Sequence, residues 1–172
     1  MASLMEDLIV TLRQECDLYE SLLGLSSKKT SIIVSGDLKE LSQITDEEQG
    51  IVAKIATLDK RRQAAMKDIA NVLNMDVNSL RLTELVQMLD KRPEEQRQLA
   101  EQRDRLKLVA DNVKRVNGQN QELLQSSLEM VQFEMNILQT AQRAPETANY
   151  TKAAGTSGDV IGLDQGKFDA KQ

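Results

Sequence analysis

The side chain best suited to nucleophilic chemistry in this sequence is a single cysteine, Cys16, and the chain contains no histidine. A catalytic thiol needs a neighbouring base, and histidine is the usual one. Cys16 also lies on a stripe of apolar residues at helical spacing, so we interpret it as a small core residue. A lone cysteine cannot form an internal disulfide, which favours a reducing compartment.

The other residue types that support catalysis or ligand binding form no recognisable site. One cysteine and no histidine exclude the common zinc-binding sets and the Glu-x-x-His pairs of di-iron bundles. Gly24, Gly36 and Gly50 stand alone, so they form no glycine-rich phosphate loop. The consecutive acids at positions 46–48 are predicted on an exposed helical face, where solvation is the usual state of a carboxylate. We therefore expect no enzyme activity, no metal and no cofactor.

The charge and composition of the chain indicate a helical protein rather than a nucleic-acid binder. A net charge of −5 lacks the basic surplus that neutralises phosphates. A basic cluster at Lys60, Arg61, Arg62 and Lys67 is interpreted as a solvated helix face, and docking of an acidic partner is the alternative. Aromatic residues make up only 2% of the chain, which favours long helices packed side by side. The N-terminus lacks the basic segment of a secretory signal, so a cytoplasmic protein without membrane insertion is expected.

Apolar spacing predicts an all-α fold, an elongated antiparallel helical bundle or coiled coil of three long helices and one short helix. The first long helix is predicted to end at Gly36, and Asp37 is the predicted N-cap of the second. Thr83 is predicted to cap the short helix. Pro93 is a good first residue for the third long helix, which continues to Ala144. The bundle domain is thus expected over residues 1–144.

The segment after the third long helix has a different composition. Residues 145–172 contain four glycines and no helical periodicity, so we predict a flexible, disordered tail as a second region. Tyr150 is an isolated aromatic residue in this polar segment, and a buried tyrosine can dominate a small interface. Two interpretations of Tyr150 remain open. It is either an aromatic residue without a function in a disordered tail or a short docking site for another protein.

The third long helix changes character along its length. Residues 93–115 carry eleven charged side chains, whereas residues 117–142 carry only Glu122, Glu129 and Glu134. The second half has two apolar stripes: one is Leu124, Leu128, Val131, Met135 and Leu138, and the other is Val116, Leu123, Met130 and Ile137, with Phe133 off both. Either the bundle buries both stripes, or one packs inward while the other receives an amphipathic helix of a partner.

Three segments in succession resemble one known family. These are LRQECDLYESLLGLSSKK, GDLKELSQITDEEQ and NGQNQELLQSSLEM, and together with the chain length they resemble the FlgN-type flagellar export chaperones over residues 4–142. The resemblance implies a cytoplasmic chaperone of the flagellar type III secretion system. It would bind the C-terminal helical segments of hook-associated proteins, prevent their premature assembly and deliver them to the export gate.

The resemblance also implies where the partner binds. The family is thought to use the end of its own chain, which here corresponds to Leu123, Leu124, Leu128, Met130, Val131, Phe133, Met135, Ile137 and Leu138. Tyr150 is then the candidate for docking on export-gate components. The alternative is a structural coiled-coil protein whose second stripe seals a homodimer, and the chaperone itself is expected to be a monomer or a weak homodimer.

Overall fold

The computed structural model describes residues 2–143, which form four helices and no strands within that range. They are α1 (Ala2–Ser35), α2 (Leu38–Leu73), α3 (Leu82–Met88) and α4 (Pro93–Arg143). The predicted all-α fold of three long helices and one short helix is therefore confirmed. The chain divides into a first unit, Met1–Phe133, and a second unit, Glu134–Gln172, of which only the end of α4 is described. The predicted tail and its boundary at residue 144 lie outside the described residues.

Local backbone signals set the ends of α1 and α2. Gly36 adopts a positive φ of 74°, a conformation that glycine reaches without steric cost, and its N–H donates to the carbonyl of Ile32 at 3.1 Å. Asp37 then caps α2, since its carboxylate accepts a hydrogen bond from the N–H of Glu40 at 3.0 Å. Asn74, with a φ of 55°, ends the same helix.

The start of α3 differs from the prediction. The helix begins at Leu82 and its N-cap residue is Arg81, so the prediction that Thr83 caps it is wrong. The reason is local, because the carboxylate of Glu84 accepts the N–H of Arg81 at 2.9 Å and fixes the start two residues earlier. Pro93 begins α4 as predicted, with two acids in the first turn of the helix.

Two apolar clusters in the first unit show the directions of the long helices. Near the start of α1, Leu8 belongs to a cluster with Ile69 of α2 and Leu99 of α4. Further along α1, Leu22 packs with Ile55 of α2 and Val113 of α4. α2 therefore runs antiparallel to α1, whereas α4 runs parallel to α1.

Buried polar residues interrupt this apolar core at two levels. Between the clusters, the carboxylate of Glu15 is buried and pairs with Arg62, with an N–O distance of 3.3 Å. Beyond the second cluster, Ser26, Glu48 and Asn120 are buried, one from each long helix. Buried polar groups need hydrogen-bond partners. The level that contains Ser26, Glu48 and Asn120 lies near the end of α1.

Candidate partner-binding surface

A network of hydrogen bonds joins the three long helices near the end of α1. On the α4 side, the amide of Asn120 donates to the carbonyl of Ser26 at 2.8 Å and its oxygen accepts from the hydroxyl of Thr30 at 2.6 Å. On the α2 side, Glu48 accepts from the Ser26 hydroxyl and from Lys29, both at 2.7 Å. Within the described residues, these bonds satisfy Asn120 and Glu48 and place Thr30 beside Asn120.

The burial of Glu48 corrects one prediction. Asp46 and Glu47 are exposed, as predicted for all three consecutive acids, but Glu48 is buried. It occupies a position on the apolar stripe of α2, four residues after Ile44 and seven before Ile55. Helical spacing places these side chains on the same face, which turns Glu48 towards Ser26 and Lys29. Its ion pair with Lys29 makes it a structural residue.

α4 continues beyond the end of α1, and this decides which of its residues are covered. Thr30 lies beside Asn120 in two parallel helices, so the last residue of α1, Ser35, lies level with about position 125 of α4. Leu123 and Leu124 are half-buried there. Every residue from 125 to 143 is exposed.

The exposed part of α4 holds the remaining residues of the predicted partner-binding surface. In the first unit, the exposed apolar residues are Leu128, Met130, Val131 and Phe133. In the second unit they are Met135, Ile137 and Leu138, on the same helix. The interpretation that the bundle buries both stripes is therefore wrong for the six of these residues that lie on the stripes, and Phe133, off both, is exposed as well. Val116, by contrast, is buried in the bundle.

The apolar spacing of α4 shifts by one residue where the helix leaves the bundle. Up to the buried Asn120, the α4 residues that face the bundle recur at alternating steps of three and four. They are Leu99, Gln102, Leu106, Val109, Val113, Val116 and Asn120. Continued in the same phase, these steps would include two polar residues among five positions, which are Leu123, Ser127, Met130, Glu134 and Ile137. The exposed segment has the same alternation one position later, at Leu124, Leu128, Val131, Met135 and Leu138. Apolar residues at steps of three and four form the contact line, or seam, between two paired helices. We call the five residues from Leu124 to Leu138 the exposed seam.

The described residues hold no arrangement that suggests catalysis. Among residues 2–143, no group of three His, Cys, Asp or Glu side chains could hold a metal ion. Burial raises the pKa of the Cys16 thiol to about 11, and its sulfur donates to the carbonyl of Gln102 at 3.6 Å. A thiol with a raised pKa is a poor nucleophile at neutral pH, in agreement with a core role.

Two members of the basic cluster have acidic partners. Arg61 pairs with Asp7 of α1, and Arg62 pairs with Asp59 and Glu15. The contacts with Asp7 and Glu15 join α2 to α1, and all three contacts reduce the positive charge that this face presents to a partner. They support the interpretation of the cluster as an ordinary helix face.

Comparison with known proteins identifies the family. The family model described as FlgN protein matches residues 1–158 of the 172.

The chain belongs to the FlgN family.

A Bacillus subtilis protein described as "Uncharacterized protein YvyG" is 28% identical over 146 residues, which cover 85% of this chain and 86% of that protein. No solved structure matches the chain. FlgN is a chaperone family rather than an enzyme family, which is consistent with the expectation of no enzyme activity.

Two further properties bear on this FlgN-family chain. None of its four described helices is long and apolar enough to cross a lipid bilayer. Tyr150, the candidate for docking at the export gate, lies outside the described residues.

Sequence reasoning missed the buried residues Asn120 and Glu48. Their positions on apolar stripes were the signal that could have found them.

Proposed function

We propose that this protein is a cytoplasmic export chaperone of the bacterial flagellum. It binds a C-terminal helical segment of a hook-associated protein through the apolar face of α4 that extends from Leu123 to Leu138. One observation carries the proposal: every residue from 125 to 143 is exposed, and seven of them are large apolar residues. A contiguous exposed apolar surface on a protein with a separate core usually marks a binding site.

The composition of this surface suits a helical partner. Its seam has the three- and four-residue steps of a helix pair, and Met130 and Met135 add flexible side chains that adapt to an irregular partner surface. Covering about 600 Å² of apolar area would contribute roughly 15 kcal/mol before costs. The loss of free motion and the ordering of side chains offset most of this gain, so micromolar to nanomolar affinity is expected.

The mechanism follows from covering one apolar helix with another. A terminal segment that would otherwise associate with its own kind is shielded while it lies on α4, so assembly cannot begin in the cytoplasm. This shielding uses binding free energy alone and needs no nucleotide. Release would come from competition or unfolding at the export gate.

Calorimetric titration with C-terminal segments of the same organism's hook-associated proteins tests the proposal. We expect 1:1 binding below about 1 μM, which the double variant Leu128→Glu/Val131→Glu loses. Leu108→Glu is the matched control, because Leu108 is equally exposed on α4 but lies alongside the bundle. Absence of binding to any segment by the folded wild-type protein would refute the proposal.

Self-association through the same face is the second candidate function, and the regular seam from Leu124 to Leu138 favours it. The mass in solution separates the two functions. A tight dimer whose mass does not change with dilution, and which Leu128→Glu/Val131→Glu dissociates, would indicate a structural coiled coil. A monomer or a weak dimer agrees with a chaperone whose face is free for its partner.

The segment from residue 145 is proposed to serve the delivery step as a separate region, with Tyr150 as its contact to the export gate. A single substitution should then impair delivery to the export gate without changing the binding of the hook-associated protein. We expect Tyr150→Ala to abolish export of the hook-associated protein while its affinity for the C-terminal segment stays unchanged. Normal export in the variant, or loss of affinity, would contradict this role.

A further inference from the structure

The faces of α1 and α4 that meet at the hydrogen-bond network are polar where they are buried and apolar where they are exposed. On α1, Ser26, Thr30 and Val34 follow one another at four-residue steps and therefore share one face. Ser26 is buried and hydrogen-bonded, whereas Val34, at the outer end of that face, is 73% exposed. On α4, the buried Asn120 is followed on the same face by Leu124, which is half-buried, and by Leu128.

Val34 and Leu124 lie at the same level of the two helices. Thr30 and Asn120 are hydrogen-bonded to each other, and each of these apolar residues comes four positions later in parallel helices. A groove of about 490 Å³ opens between the helices just before this level, lined by Thr30, Gln119, Glu122, Leu123 and Ser126. The groove thus joins Thr30 of α1 to Leu123, the first residue of the predicted partner-binding surface.

The turn between α1 and α2 adds a second apolar residue at this end. Leu38, the first residue of α2, is 78% exposed, and with Val34 it is the most exposed of the large apolar residues described. The two flank Gly36, whose left-handed conformation forms the turn. We call Val34 and Leu38 the hairpin tip. Neither residue belongs to the apolar clusters of the core, so their apolar character is not explained by folding.

We propose that the hairpin tip is a second wall of the partner-binding surface and contacts the end of the bound helix nearest the bundle. This inference rests on the proposed function and extends its site from one helix to two elements. A partner helix bound along the exposed seam extends from Leu128 towards Leu124. It reaches the level of Val34 before it would meet the bundle. There it covers Val34 and Leu38 as well as the groove.

The charges around the surface specify the bound helix further. Between residues 117 and 142 the only charged side chains of α4 are Glu122, Glu129 and Glu134, and Glu122 lines the groove. A bound helix with apolar residues at steps of three and four and basic residues beside them complements this surface. Charge complementarity mainly increases the association rate and selects among partners. The occupant is thus a basic amphipathic helix.

The test compares affinities of one peptide, the C-terminal helix of the hook-associated protein that binds the wild-type chain most tightly. The double variant Val34→Gln/Leu38→Gln should weaken binding about tenfold, because polar side chains remove the apolar wall. Val72→Gln is the control, since Val72 is an exposed valine at the other end of α2 and its replacement should leave affinity unchanged. Glutamine suits helices at least as well as valine, and thermal unfolding verifies that the fold is intact.

A label at the tip gives a second measurement. Cys16 is buried with a raised thiol pKa, so a cysteine introduced by Leu38→Cys can carry an environment-sensitive fluorophore selectively. Peptide binding should shift its emission to shorter wavelength. Unchanged affinity in the tip variant together with unchanged emission would overturn the tip proposal, while loss of binding in Leu128→Glu/Val131→Glu would leave the proposed function standing. Absence of peptide binding to the wild type would refute both.

Discussion

The side-chain amide of Asn120 on α4 donates a hydrogen bond of 2.8 Å to the backbone carbonyl of Ser26 on α1. Asn120 is only 3% exposed, and its oxygen accepts from Thr30 at the same level. A buried asparagine at a seam position fixes the register of paired helices, because any other register would leave its amide without partners. The contact therefore fixes how much of α4 extends past α1, and hence which residues are available to a partner.

Replacing Asn120 by alanine should destabilise the protein. The change removes two interhelical hydrogen bonds and leaves a small cavity, and we expect the free energy of unfolding to fall by about 2 kcal/mol. Urea unfolding followed by circular dichroism measures it. Gln121→Ala, on the exposed neighbour, should change stability by less than about 0.5 kcal/mol. An equal effect of the two substitutions would contradict the role given to the buried amide.

The ion pair between Glu48 and Lys29 leads to a second stability prediction. Both side chains are largely buried, and removal of one partner leaves the other charge poorly solvated. Glu48→Ala should therefore lower the free energy of unfolding by about 3 kcal/mol. Glu47→Ala, next to it but exposed, should have an effect within about 0.5 kcal/mol. Similar midpoints in urea for the two variants would show that the buried pair contributes little.

Glu15 predicts a dependence of stability on pH. Burial raises the pKa of its carboxyl above the ordinary value for glutamate, and nearby Asp59 adds to the rise while Arg62 opposes it. From about pH 4.5 upwards the unfolded chain loses this proton before the folded protein does, so stability falls as pH rises towards the folded pKa. Glu15→Gln does not titrate. Its stability relative to the wild type should therefore increase as pH rises from about 4.5 through the raised folded pKa.

Glu20 provides a control of opposite sign for this experiment. Its hydrogen bond with Arg105 lowers the pKa of the carboxyl, so its contribution is present at neutral pH and is lost as pH falls through the folded pKa. Relative to the wild type, Glu20→Gln should therefore lose stability as pH rises towards about 4.5 and should change little above it. Two difference curves of the same slope would show that Glu15 is not the group responsible.

Sequence signals predicted the fold where the determining interactions are local. Gly36, Asp37 and Pro93 act through their own backbone conformation or through bonds to residues within one turn, so their positions alone indicated helix ends. Thr83 failed as a cap because a competing local bond, from the N–H of Arg81 to Glu84, starts the helix earlier. Such competition between neighbouring caps depends on geometry that residue types do not specify.

The apolar stripes of α4 were predictable from the sequence, but their exposure was not. Spacing alone selected the two stripes of α4, and it allowed both a buried and an exposed arrangement. Their exposure depends on where α1 ends relative to α4, and this offset is fixed by contacts between residues distant in sequence, such as Thr30 and Asn120. Glu48 shows a related limit, since its position on an apolar stripe signals burial but its partner Lys29 lies on another helix and does not follow from spacing.

The exposed part of α4 should exchange its amide hydrogens faster than the part within the bundle. Residues 125–143 have no buried side chain, and a helix of this length without tertiary packing opens readily in water. Hydrogen exchange followed by mass spectrometry should show fast exchange there and slow exchange around Val109 and Val113, which are buried. Adding the hook-associated segment should slow exchange from residue 125 onwards and leave the core unchanged. Slow exchange in the protein alone that speeds up on dilution would instead indicate that a second copy covers the face, and would favour self-association over the chaperone function.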